Sequence, residues 1–73
     1  MNDPYENLAN AIVLRAVEDW RDAVHRLKRR PKSETALRMK KECEEFFRSE
    51  WFTKLTPLDG EELLKRLMKE AEL

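Results

Sequence analysis

Beyond its carboxylates, this sequence offers His25 and Cys43 for nucleophilic or acid–base work. A catalytic Cys–His pair needs a third group to orient the imidazole and a pocket to hold substrate. The spacing supplies neither. Cys43 falls on an apolar helical stripe, where a thiol packs as a small hydrophobe, and His25 falls on a polar helix side. One Cys and one His fall short of the four ligands of a structural zinc site, and a lone Cys has no disulfide partner within the chain. Glu42, Glu44 and Glu45 are neighbours in sequence, but a helix points them in different directions. Gly60 is the only glycine, which excludes a glycine-rich phosphate loop. The reading is a chain that binds and does not catalyse, with no metal and no cofactor.

Charge is the more informative chemistry. Fifteen acids balance fifteen bases, but unevenly along the chain. Residues 26–41 carry eight cations, among them Arg26, Arg29, Arg30, Lys32, Lys40 and Lys41, against Glu34 alone. Residues 42–62 carry seven acids against Arg48 and Lys54. A basic segment of this density can neutralise phosphates or dock an acidic protein. It is also what a solvated helix end looks like, with cations favoured by the dipole and local pairs such as Glu34–Arg38 and Lys41–Glu45. Aromatic residues do not interleave with these cations, which argues against stacking on single strands. They concentrate in Phe46-Phe47-Arg48-Ser49-Glu50-Trp51-Phe52. Four aromatics in seven residues cannot all face one core from one straight helix. Either the chain bends to bury them, or one or two stay exposed as a partner site.

These groups must be positioned by helices. At 73 residues the chain is one domain, 1–73, near the lower limit for an independent core, so it depends on dense packing helped by self-association. Asp3 caps a first helix near 4–30, with Pro4 at its first position and Glu6 completing a capping box. Leu8, Ile12, Ala16, Trp20, Val24 and Leu27 recur at steps of three or four. Ala9, Val13, Val17 and Ala23 widen that stripe, and Leu14 falls off it. Pro31 ends the helix at Arg29 or Arg30. Ser33 caps a second helix, 34–49, antiparallel to the first across a short turn. Ala36, Met39, Cys43, Phe46 and Phe47 share its inner face, which Trp51 extends, while Leu37 turns toward the third helix. A kink or short extra turn is expected near 49–56, with Ser49 as its cap. Asp59 and Glu62 box the start of a last helix, 57–72, with Leu58 and Leu63 as a hydrophobic staple and Leu63, Leu64, Leu67, Met68 and Ala71 as its apolar face. The expected fold is all-α, a small three-helix bundle packed around Trp20, Leu27, Phe47, Leu63 and Leu67.

Ala11 to Arg21, Phe46 to Phe52 and Leu55 to Glu61 together resemble small uncharacterised proteins of prophages and mobile elements in Gram-positive bacteria. The resemblance covers most of the chain and is firmest at the FFRSEWF and LDGE stretches. It implies an accessory role, such as binding a host or defence complex, CRISPR nucleases included, or binding DNA. It brings no functional residue with it. The candidate contact residues therefore come from the charge and aromatic reading: Arg26, Arg29, Arg30, Lys32, Lys40, Lys41, Leu14 and Phe52. A protein partner is preferred. Duplex DNA on the basic hairpin is the alternative, opposed by Glu42, Glu44 and Glu45 on the second helix, which would repel phosphates. No apolar run approaches the ~20 residues needed to span a bilayer, the first residues lack the pattern of a signal peptide, and one free thiol fits a reducing compartment. The expected location is the cytoplasm.

Overall fold

The computed structural model describes residues 4–72, with side chains for 9–71. The expected Asp3 cap, its Glu6 partner and the Leu8 contact lie outside the described side chains. Four helices follow in order: α1 Pro4–Arg29, α2 Glu34–Phe47, α3 Glu50–Leu55 and α4 Gly60–Glu72. The protein is all-α, with α1 and α2 tightly packed as an antiparallel pair. Its extents of 43 × 21 × 20 Å are set by α1. Twenty-six residues of helix at ~1.5 Å each reach nearly the full length.

The start and stop residues act as their chemistry dictates. The Ser33 hydroxyl accepts from the Ala36 amide at 3.3 Å, capping α2 after the Pro31-Lys32 turn. Ser49 is the joint between α2 and α3. Its hydroxyl donates to the Phe46 carbonyl at 2.6 Å and accepts from the Phe52 amide at 3.2 Å. One side chain thus reinforces the last turn of the ending helix, whose Phe46 carbonyl also accepts from the Ser49 amide at 3.1 Å, and satisfies an orphan donor of the starting one. At α4 the Asp59 carboxylate accepts from the Glu61 amide at 2.9 Å. That bond stands in place of the expected reciprocal box with Glu62. Leu58 and Leu63 line one surface depression, where the staple was expected.

The bend at Ser49 resolves the aromatic crowding. It turns the chain back so that Phe46, Phe47 and Phe52 form a triangle with ring centroids 5.7–5.8 Å apart. Two of the three contacts are edge-to-face, the arrangement aromatic quadrupoles favour. Trp51 is left outside, 61 % exposed, so it does not extend the inner face of α2. Val13, Val17, Trp20, Cys43, Leu64 and Leu67 complete the core around Phe47 and Phe52.

The inner face of α1 is rotated from its expected centre. Ala9, Val13, Val17, Trp20 and Ala23 are its buried residues, whereas Ile12, Ala16, Val24 and Leu27 are only half-buried. Leu63 is likewise half-buried and packs against the core from its edge. A wide apolar stripe fixes a helix's general orientation, but its neighbours decide which row points straight inward. Here α1 is covered by α2, α3 and α4 together. Leu37 does not turn toward another helix and is 48 % exposed, and Met68 is also exposed.

Gly60 begins α4 against the end of α2. A methyl group placed on it would lie 1.8 Å from the Phe47 carbonyl oxygen and 3.5 Å from the Phe52 ring. Among the described residues none has positive φ. Glycine is therefore needed here for close backbone approach and not for an unusual dihedral.

Candidate functional site

The cations of the α1–α2 turn gather at one end of the molecule. Arg26 and Arg29 come from the last turn of α1, and Arg30 and Lys32 flank Pro31. Arg26, Arg29, Arg30, Ser33 and Thr35 line a depression of about 470 Å³. A second, of about 490 Å³, is lined by Arg30, Pro31, Lys32 and Ser33. No carboxylate lines either one. The turn is held by the Arg30 amide on the Arg26 carbonyl at 2.8 Å and by the Ser33 amide on the Arg30 carbonyl at 3.0 Å. The charges are thus presented on a shaped surface.

Not every cation near this end is available to a partner. Arg26 pairs with Asp22 at 3.2 Å, one helical turn back. Lys28 donates to the Ala71 carbonyl at 2.7 Å, tying α1 to the last turn of α4. Arg29, Arg30 and Lys32 are exposed and make no ion pair among the described residues. The expected Glu34–Arg38 and Lys41–Glu45 pairs are not formed. The pairs made one turn apart are Arg15–Asp19, Asp22–Arg26 and Lys40–Glu44.

Four of the eight candidate contact residues therefore come together: Arg26, Arg29, Arg30 and Lys32. Lys41 is exposed farther along α2. Lys40 turns inward, its ammonium 2.7 Å from Glu44, so it belongs to the packing of α1 against α2. Leu14 is 60 % exposed as its position off the stripe required, but it lies fifteen residues before Arg29 on the same helix. That is ~22 Å along the axis, too far to join the basic end. Phe52 is 0 % exposed and cannot touch a partner. Burial of its ring follows from the Ser49 bend, which exchanges it with Trp51. Leu37 and Trp51 are exposed apolar residues on α2 and α3, where Trp51 was expected on the inner face of α2 and Leu37 turned toward the third helix.

Glu44 forms the polar link inside the bundle. It accepts from the Trp20 indole at 3.0 Å and from Lys40 at 2.7 Å, both on Oε2. Partial burial desolvates this carboxylate and opposes ionisation, but the Lys40 and Trp20 hydrogen bonds, with the charges of Lys40 and Arg48, outweigh it and hold the group below its usual range. Glu44 is thus an ionised carboxylate paired with Lys40 at the helix interface, while Glu42 and Glu45 remain on the outside of α2.

Cys43 is buried in the core cluster. Desolvation raises its thiol pKa, and the carboxylates of Asp19, Glu42 and Glu44 raise it further. The thiol is held protonated, the opposite of what a nucleophile needs. His25 is exposed elsewhere, on a groove of about 260 Å³ between α1 and α4 lined also by Trp20, Arg21, Lys28, Leu67 and Glu70. The fold does not bring the two residues together. Among the described residues no group of three or more His, Cys, Asp or Glu side chains is arranged to hold a metal ion. None of their helices is long and apolar enough to cross a membrane. Comparison with protein families, with curated proteins and with solved structures finds no match for the chain.

Proposed function

We propose that this protein is a non-catalytic binding module whose basic end docks an acidic surface of another protein. One observation carries the reading: Arg29, Arg30 and Lys32 are exposed, unpaired among the described residues, and fixed around a proline turn whose two depressions lack carboxylates. Exposed charges of one sign on a rigid turn steer association and reject partners of like charge. The resemblance to mobile-element proteins supports a host or defence complex as the partner class. Glu42 and Glu45 on the outer side of α2 favour a protein over a nucleic acid, because a duplex lying along that helix would meet their charge.

The test is a pull-down from host extract with and without nuclease, read by mass spectrometry, with wild type beside Arg29→Glu/Arg30→Glu. A protein retained in the presence of nuclease and lost with the double reversal supports the reading. Retention of duplex DNA by wild type at physiological salt, abolished by the same reversal, replaces it with the nucleic-acid alternative. Identical capture by both proteins removes the basic end from function.

A further inference from the structure

Two exposed apolar features of this chain are flanked by opposite charge. Leu37 stands on the outer face of α2, with Arg38 and Lys41 on the adjoining turn. Positions 37 and 41, and 38 and 41, are helical neighbours, so leucine and cations form one patch. Neither cation has an ion-pair partner among the described residues. At the start of α4, Leu58 and Leu63 line a depression of about 290 Å³ with Asp59 and Glu62, and Arg66 on one side. Leu58 is 55 % exposed, and the two carboxylates make no ion pair among the described residues.

We propose that the Leu37 patch of one copy docks in the Leu58–Leu63 depression of a second copy. Leucine enters the apolar floor, Arg38 and Lys41 meet Asp59 and Glu62, and Arg66 sets the open side away from the incoming cations. The occupant is a second copy, because both halves of a complementary contact, apolar and charged, are present on one chain.

Leu37 lies near the start of α2, and α4 begins against its last residue, Phe47. The intervening ten residues span ~15 Å. Each contact joins the patch of one copy to the depression of another, so a pair closes where a two-fold brings both contacts together, and otherwise each added copy leaves one patch and one depression free. Arg29, Arg30 and Lys32 are outside it, so it stands independently of the basic-end reading.

Sedimentation equilibrium of the full chain tests this. Wild type is expected to exceed monomer mass as concentration rises toward about 0.5 mM at low salt, with an association constant about tenfold lower once salt shortens the Debye length to ~3 Å. Leu37→Ser/Lys41→Ser removes the patch, and Glu62→Lys inverts the depression. These exposed changes are checked for native helicity by circular dichroism. Each variant alone is expected to be monomeric. Mixed, they are expected to form a one-to-one dimer and nothing larger, because only one patch and one depression remain live. A monomeric wild type, a monomeric mixture, or either variant assembling like wild type overturns the proposal. So does a dimer abolished by Trp51→Ser and kept by both variants, which would place the contact on α3.

Discussion

Gly60→Ala should destabilise the protein, although helix propensity predicts the reverse. Alanine is favoured over glycine inside a helix by ~0.5–1 kcal/mol, and less at a first-turn position. Against this, the new methyl would sit 1.8 Å from the Phe47 oxygen and 2.9 Å from its carbonyl carbon. Ordinary carbon–oxygen contact needs ~3.3 Å or more, so α4 must withdraw from α2 by over an ångström. The obstacle is backbone at the end of a helix, so a rotamer change cannot relieve it. Withdrawal also draws Leu64 of α4 away from the core beneath. Over-packing of this kind costs ~1–3 kcal/mol. Because the clash is with main chain, we expect the upper part of that range, about 2–3 kcal/mol net of the propensity gain. For a domain this small, each kcal/mol moves Tm by ~4–8 °C, so the midpoint should fall by roughly 10–20 °C. Thermal and urea unfolding followed by circular dichroism measure it, with exposed Glu62→Ala as a control expected within ~0.5 kcal/mol of wild type. A Gly60→Ala protein melting at or above wild type would refute the close-approach argument.

The remaining predictions concern the core and its polar link. Trp20 is 1 % exposed at the centre of the bundle, and Trp20→Ala should cost ~3–5 kcal/mol, near the whole stability of a chain this size, read by urea unfolding. Glu44 titrates below its usual range when folded, so its contribution is present above the unfolded pKa and lost as pH falls through the folded one. Glu44→Gln should therefore lower stability near neutrality and flatten the acid side of the stability–pH curve, and an unchanged acid limb would assign that slope to other groups. Cys43→Ala should cost about 1 kcal/mol and leave partner capture intact, and a folded variant that no longer captures the partner would contradict the structural role given to Cys43. The native thiol should react slowly with a disulfide reagent and rapidly in urea, because burial and the Asp19, Glu42 and Glu44 carboxylates oppose its ionisation.

Local chemistry determined where the helices start and stop. Pro31 forbids continuation of α1, Ser33 and Ser49 supply side-chain acceptors for α2 and α3, and Asp59 does the same for α4. Each of these acts within a few residues, so each is legible from neighbours in the sequence. The short α1–α2 turn likewise made the pair antiparallel and collected Arg26, Arg29, Arg30 and Lys32 at one end. Periodicity also marked Leu14 as an outward residue, because one side chain a hundred degrees off a stripe has nowhere to go but solvent.

What only the tertiary structure decided is which of several chemically similar residues faces inward. Trp51 and Phe52 are adjacent aromatics, and the geometry of the Ser49 bend alone puts Phe52 in the core and Trp51 in water. Lys40 and Lys41 are adjacent cations, and the position of Trp20 and Glu44 across the α1–α2 interface draws Lys40 inside while Lys41 stays out. Val13 and Val17 displace Ile12 and Leu27 from the centre of α1 because three helices cover that face together. Gly60 falls in sequence within the first turn of the last helix, yet the need for glycine there comes from a carbonyl thirteen residues away in the chain. Propensity and periodicity describe a residue against its own helix. Burial, pairing and close approach depend on groups brought near by folding, and no local pattern contains their positions.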